Sequence, residues 1–122
     1  GMMKNSFTEE NYLKAIFKIG EKANAAVGTN ALAAAMQTTA ASVTDMVKRL
    51  AEKQLLVYEK YRGVTLTASG QKLATALIRR HRLWEVFLVE KLDFSWDEVH
   101  DIAEQLEHIK SEKLINKLDD FL

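Results

Sequence analysis

The hydrophobic pattern of the first half of the chain predicts three helices followed by a hairpin. Apolar side chains at helical spacing predict a helix over 8–20, with Thr8 as its expected cap, and another from Ala40 or Ala41 to about Gln54. Between them, residues 30–36 form a short, alanine-rich segment that is expected to be the second helix. Residues 55–60 and 64–66 are β-prone and flank a turn at 61–63, which predicts two short strands. The third helix is expected to bury the stripe formed by Val43, Met46, Val47 and Leu50.

Helical periodicity returns after Leu66 and continues to the last residue. Thr67 is expected to cap a long helix that passes Gly70 and ends near Lys91, because its apolar pattern is not interrupted. Ser95 and Ser111 are expected to cap two more helices, over 96–109 and 111–121. The fold class is therefore mainly α with a small β-hairpin wing, in the element order of a winged helix-turn-helix. We expect a DNA-binding domain over residues 1–70 and a helical dimerisation and metal-binding domain over 71–122.

The outer surface of the third helix and the tip of the hairpin fit double-stranded DNA. These positions carry small, hydroxylated or basic side chains that can reach bases or phosphates. Residues 1–66 hold nine Lys or Arg against six Asp or Glu, whereas residues 67–122 hold eight against eleven, so the positive charge lies on the expected reading half. The candidate DNA contacts are Thr39, Ser42, Thr44, Asp45, Lys48, Arg49, Lys60 and Arg62.

The rear helices carry more apolar surface than one small domain is expected to bury. One apolar stripe can cover the front domain, and the surplus favours a symmetric homodimer. Two winged helices would then bind the two halves of a palindromic operator, which compensates for a net charge of zero. The alternative is that all the stripes close one monomeric core. The expected interface residues are Trp84, Phe87, Leu88, Trp96, Val99, Ile102 and Leu106.

Composition limits the chemistry and the location of the protein. Cysteine is absent, so a metal site must use oxygen and nitrogen ligands, and a reducing compartment is expected. No signal-peptide pattern and no apolar run of about 18 residues occur, so we expect a cytoplasmic protein that does not bind a membrane.

All three histidines lie in the second half, each with a carboxylate at helical spacing. If one helix runs through 96–109 and His100 defines zero, Glu104 lies near 40°, Glu107 near 340° and His108 near 80°. His81 and Glu85 form a further pair, so the region offers a donor set that suits a divalent transition metal. The alternative is a solvated helix face with incidental ion pairs.

Several strings, in order and at matching spacing from about residue 7 to the end, resemble the diphtheria toxin repressor family of metal-dependent transcriptional repressors. The wing string is most similar to the manganese branch, and the triplet of Glu104, Glu107 and His108 is quite specific. The strings are Asn11-Tyr12-Leu13, Ser42-Val43-Thr44, Tyr58-Glu59-Lys60-Tyr61-Arg62-Gly63, Leu66-Thr67, Gly70, His81-Arg82-Leu83-Trp84-Glu85, Val99-His100-Asp101 and Glu104 to His108.

The resemblance implies two metal sites. The primary site would use Asn11, Glu104, Glu107 and His108, and the ancillary site would use His81, Glu85 and His100. Position 104 is a cysteine in the iron branch and a glutamate in the manganese branch. We therefore expect Mn²⁺ or Fe²⁺ as the cofactor, with Zn²⁺, Co²⁺ or Ni²⁺ able to bind in vitro.

Two residues depart from the family pattern. Asn11 stands where the family has methionine or aspartate, and Lys14 stands where the manganese branch has a carboxylate for a second ion. A charged lysine cannot ligate, so either one or two ions per subunit are compatible with the sequence. The iron branch also has a third, SH3-like domain, which we do not expect in this chain. The chain would then be either a short family member or a truncated one.

Two other classes of function are the alternatives. An enzyme is disfavoured because the chain has no HExxH string, no Gly-rich phosphate loop and no Ser/His/Asp arrangement. The second is a winged-helix regulator that does not respond to metal, and that senses an organic ligand or a partner protein or binds DNA constitutively.

Overall fold

The computed structural model describes residues 5–122, which form six helices and one antiparallel hairpin. The expected mainly α class with a β-hairpin wing is confirmed, and none of these helices is long and apolar enough to cross a membrane. The elements are α1 (Phe7–Ala23), α2 (Thr29–Met36), α3 (Ala40–Glu52), β1 (Leu56–Glu59), β2 (Gly63–Leu66), α4 (Ala68–Leu92), α5 (Trp96–Leu106) and α6 (Glu112–Phe121).

The chain divides into two compact units, and the division falls between Thr75 and Ala76. Helix α4 contributes to both units, and the domain boundary expected between residues 70 and 71 stays a prediction. In the first unit α1, α2, α3 and the hairpin share one apolar core, which includes Leu13, Leu32 and Val64. The expected inner face of α3 is confirmed, since all four of its residues are buried: Val43, Met46, Val47 and Leu50.

The wing is a hairpin of two four-residue strands with a three-residue tip. Leu56 pairs with Leu66 and Glu59 with Gly63, and the Arg62 N–H donates to the Glu59 carbonyl at 3.0 Å. Val27 adds a bridge to Val64 on the other side of β2, which the sequence did not predict. Gly63 has a φ of 112°, and a Cβ there would lie 2.5 Å from the Val27 carbonyl oxygen, so this crossing needs glycine.

The ends of α1 differ from the prediction. Ser6 rather than Thr8 is the N-cap, because Ser6 and Glu9 form a reciprocal capping box in which each side chain accepts the other residue's N–H. The helix also continues past Gly20 to Ala23, and Asn24 ends it in the left-handed region with its N–H bonded to the Gly20 carbonyl.

In the second unit α4, α5 and α6 pack around Trp84, Ala103, Ile115 and Leu118. The expected helix over 96–109 is too long, because α5 ends at Leu106 and the Ile109 N–H makes a turn bond to the Leu106 carbonyl instead. The three other expected caps, Thr67, Ser95 and Ser111, are confirmed. The hydroxyls of Thr67 and Ser111 accept from Gly70 and Leu114, and the Glu98 carboxylate accepts from the Ser95 N–H.

Candidate metal centre and DNA-binding surface

The His81 imidazole lies between two carboxylates. His81 is a buried residue of α4, and its Nδ1 lies 2.8 Å from Oε1 of Glu107, at the end of α5. Its Nε2 lies 3.3 Å from Oε2 of Glu85, one turn later on α4. Glu107 is fully buried, so the contact at Nδ1 is shielded from water.

This arrangement suits a metal ion at the imidazole. A neutral imidazole has one N–H, so it can donate to only one of the two carboxylates, and its second nitrogen would face the other with a lone pair. A metal ion bound at that second nitrogen would remove this repulsion. If Nδ1 donates to Glu107, then Nε2 is the nitrogen left to ligate an ion beside Glu85, as in a carboxylate–histidine–metal triad.

His100 brings a third donor to the same place. The rings of His81 and His100 are 5.0 Å apart, and one ligand atom each of His81, Glu85 and His100 lies within 4.8 Å of the other two. Small side-chain rotations would bring three such atoms to one ion. The structure therefore brings together all three residues of the expected ancillary set, and this donor set fits a divalent metal ion.

A second group on the exposed face of α5 shares His100. Nε2 of His100 lies 2.9 Å from Oε1 of Glu104, and Asp101 completes a group of three possible ligands. The side chains of His100 and Glu104 are about half exposed, at 56% and 49%. Sequence reasoning did not single out Asp101, although its position next to His100 was a signal.

Glu107 and His108 lie in a different environment from Glu104. Both are buried, and Nε of Arg80 donates to the Glu107 carbonyl at 2.6 Å. The expectation that one helix face carries all four residues is wrong for His108, because α5 has ended at Leu106. The expected face separates into an exposed part, His100 and Glu104, and a buried part, Glu107 and His108.

The remaining residue of the expected primary site is Asn11, which lies on α1 in the first unit and is half-buried. Lys14 is on the same helix and is buried, at 9% exposure. A burial of that degree is unusual for lysine, so Lys14 is held in a defined position.

The expected DNA-binding residues lie at the start of α3, along its outer face and at the wing tip. Thr39 is the N-cap of α3, and its hydroxyl accepts from the Ser42 N–H at 3.1 Å. Thr44 is half-buried, whereas the other expected contacts are exposed. Arg62 reaches only 3.7 Å from Glu59 and is 81% exposed, so its guanidinium can approach a phosphate.

The expected dimer residues differ in exposure. Val99, Leu88 and Trp84 are buried within the chain, so a partner could touch little of them. Trp96 is 60% exposed, and Phe87, Ile102 and Leu106 are half-buried. Among the expected interface residues, Trp96 therefore leaves the most apolar surface for a second copy to cover, and the interface itself stays a prediction.

Fold and centre together define a class, the winged-helix DNA-binding proteins with a metal site. Residues 6–64 match the family model of the iron dependent repressor N-terminal DNA binding domain. Residues 67–122 match the model of the iron dependent repressor metal binding and dimerisation domain. The chain belongs to this family of metal-dependent transcriptional repressors, whose members bind DNA, dimerise through the second domain and are not enzymes.

Individual relatives support the same family. The chain is 36% identical over 113 residues to the HTH-type transcriptional regulator MntR of Oceanobacillus iheyensis, covering 93% of this chain and 76% of that protein. It is 33% identical over 107 residues to the diphtheria toxin repressor of Corynebacterium jeikeium, covering 88% of this chain and 44% of that protein. A solved manganese-dependent transcriptional repressor in complex with manganese is 41% identical, with a TM-score of 0.82. That match covers 93% of this chain and 51% of the solved chain, so this chain spans about half of it.

Proposed function

We propose that the protein is a homodimeric repressor that binds a palindromic operator when Mn²⁺ or Fe²⁺ is bound, and that it controls metal homeostasis in the cytoplasm. The observation that carries the proposal is the placement of His81 between Glu85 and Glu107, with His100 beside it. Oxygen and nitrogen donors alone favour a hard or borderline ion over a thiophilic one.

The second ion position rests on the family pattern. We assign Asn11, Glu104, Glu107 and His108 to a primary site, supported by the burial of Glu107 and His108. Glu107 would then serve both sites, because one of its oxygens contacts His81. A metal ion that binds the DNA-competent arrangement more tightly than the other arrangements shifts the population toward it.

The test is a thermal melt of chelator-stripped protein with and without Mn²⁺. A site filled at a hundred times its Kd adds about 2.7 kcal/mol, which is a shift of several degrees for a domain of this size. His108→Ala and Glu85→Gln should each lose much of this shift. Glu90→Gln, an exposed carboxylate on the same helix as Glu85, is the matched control and should keep it.

A second candidate function is a winged-helix regulator that does not respond to metal. The observation that favours it is Lys14, a buried lysine on the helix that carries Asn11. If none of Mn²⁺, Fe²⁺ and Co²⁺ shifts the melting temperature of the unmodified protein, the metal-dependent function is wrong. The metal-independent regulator is then the supported function.

A further inference from the structure

The wing tip presents an aromatic side chain to solvent. Tyr61 is 96% exposed, the most exposed of the large hydrophobic residues among residues 5–122. The other tyrosine of the wing, Tyr58, is half-buried and packs against the core. A ring this exposed gains almost nothing from burial within the chain, and its face and hydroxyl are available to a partner.

The backbone at Tyr61 is unfavourable for tyrosine. Tyr61 has a φ of 71°, while Lys60 before it is not in the left-handed region. With the Arg62 N–H bonded to the Glu59 carbonyl, Tyr61 occupies the third position of a four-residue turn, where type II turns favour Gly or Asn. The sequence places a bulky ring where the turn itself would be more stable with a small residue.

Basic residues precede and follow Tyr61 in the chain. Nζ of Lys60 lies over the Tyr61 ring, 5.3 Å from the centroid, and Arg62 follows with its guanidinium exposed. Two cations flanking a phenol suit a polyanion, since the cations can neutralise phosphates while the phenolic hydroxyl donates to a phosphate oxygen. The wing belongs to the same unit as α3, the expected reading helix.

We propose that Tyr61 is a DNA-backbone contact, with its ring against a deoxyribose and its hydroxyl donating to a phosphate. The inference rests on the proposed DNA-binding function and adds to it a residue that positions the wing without reading bases. Its strained backbone is tolerated because the ring is needed at the tip.

The experiment uses Tyr61→Asn, which suits a positive φ and removes the ring. Because the strain is relieved, the melting temperature should stay the same or rise by up to about 4 °C. The affinity for DNA should nevertheless fall about tenfold, measured by fluorescence anisotropy with saturating Mn²⁺. Tyr61→Phe keeps the ring and should lose about threefold, through loss of the hydroxyl's hydrogen bond.

Two duplexes of about 30 base pairs separate a backbone contact from base reading. One has an arbitrary sequence and is used at low salt, where binding is electrostatic and independent of sequence. The other is selected from a random pool by the unmodified protein. A similar loss of affinity on both duplexes supports the proposal, whereas a loss confined to the selected duplex would mean that Tyr61 reads bases and would overturn it.

Gln54→Asn is the matched control. Gln54 is exposed and has a φ of 61°, so its replacement relieves a similar strain away from the wing tip and should leave DNA affinity unchanged. Unmodified protein that binds DNA, with Tyr61→Asn of equal affinity, would overturn this inference alone. Failure of the unmodified protein to bind either duplex would overturn the proposed function as well.

Discussion

Nδ1 of His81 lies 2.8 Å from Oε1 of Glu107, and this contact joins α4 to the end of α5. The Glu107 side chain is fully buried, and the backbone carbonyl of Glu107 accepts a hydrogen bond from Nε of Arg80. Both the side chain and the backbone of Glu107 are therefore fixed. Because one imidazole nitrogen is committed to Glu107, the orientation of the other toward Glu85 and His100 is set before any ion arrives.

Glu107→Gln is therefore expected to weaken Mn²⁺ binding by about 10–100-fold, whether Glu107 ligates an ion or orients His81. Calorimetric titration of the stripped protein measures the Kd. Glu112→Gln, an exposed carboxylate at the start of α6, should bind Mn²⁺ as the unmodified protein does. An unchanged Kd in Glu107→Gln would remove Glu107 from both proposed sites.

Lys48→Ala and Arg62→Ala should each weaken DNA binding and flatten its salt dependence. Each phosphate contact contributes about 0.9 to the slope of log K against log salt concentration, because a counterion is released. Anisotropy titrations between about 50 and 200 mM salt measure the slope. Lys113→Ala, on α6 in the second unit, is the control. Slopes equal to that of the unmodified protein in both variants would show that the DNA face has been misplaced.

The sequence predicted the order and type of every helix and strand among residues 5–122, because the helices carry periodic apolar stripes and the strands are rich in β-prone residues. It was less accurate at helix ends, where the signals are single side chains. The sequence predicts Thr8 as the first cap, but Ser6 with Glu9 three residues later makes the reciprocal pair. No glycine or proline marks the end of α5, so the sequence predicts a helix that continues past Leu106.

That error at α5 also limited what could be predicted of the site. Helical spacing correctly indicated that His100 and Glu104 are neighbours, since both lie within α5. It could not indicate that Glu107 turns toward His81, because that contact joins residues 26 positions apart and depends on how α4 and α5 pack. The bridge between Val27 and Val64 also joins residues far apart in the chain. The sequence did not predict it, because a single isolated residue shows no periodic pattern.

Gly70→Ala should destabilise the protein, although alanine is the better helix former. A Cβ at Gly70 would meet the Leu55 carbonyl oxygen at 1.9 Å, so the start of α4 must move away from the chain at residue 55. Such overpacking costs about 1–3 kcal/mol, more than the gain of about 1 kcal/mol from helix propensity. Urea unfolding measures the difference. Gly28→Ala is the control, since a Cβ there meets nothing within 4 Å, and equal stability of the two variants would contradict the crowding at Gly70.

Glu9 is expected to make part of the stability depend on pH. Its Oε2 lies 2.7 Å from Nζ of Lys53, the C-cap of α3, and Lys53 also donates to Asn5. Burial acts to raise the pKa of Glu9, but the hydrogen bonds from Lys53 and Ser6 and the positive charge of Lys53 outweigh it, so the pKa lies below its ordinary value. A lowered folded-state pKa means that the ionised carboxylate stabilises the fold above the unfolded pKa of about 4.3, and that this stabilisation is lost as the pH falls through the folded pKa.

Glu9→Gln should therefore be less stable than the unmodified protein by about 1–2 kcal/mol at pH 7, through loss of the ion pair and of the strongest capping acceptor. Toward pH 3 the free energies of unfolding of Glu9→Gln and the unmodified protein should converge, because protonated Glu9 carries no more charge than glutamine. Urea midpoints measured from pH 7 to pH 3 give the difference at each pH. Glu21→Gln, an exposed carboxylate on the same helix, should show no comparable change. A difference between Glu9→Gln and the unmodified protein that stays constant over this range would mean that the carboxylate's charge contributes nothing, and that only its shape matters at the junction of α1 with α3.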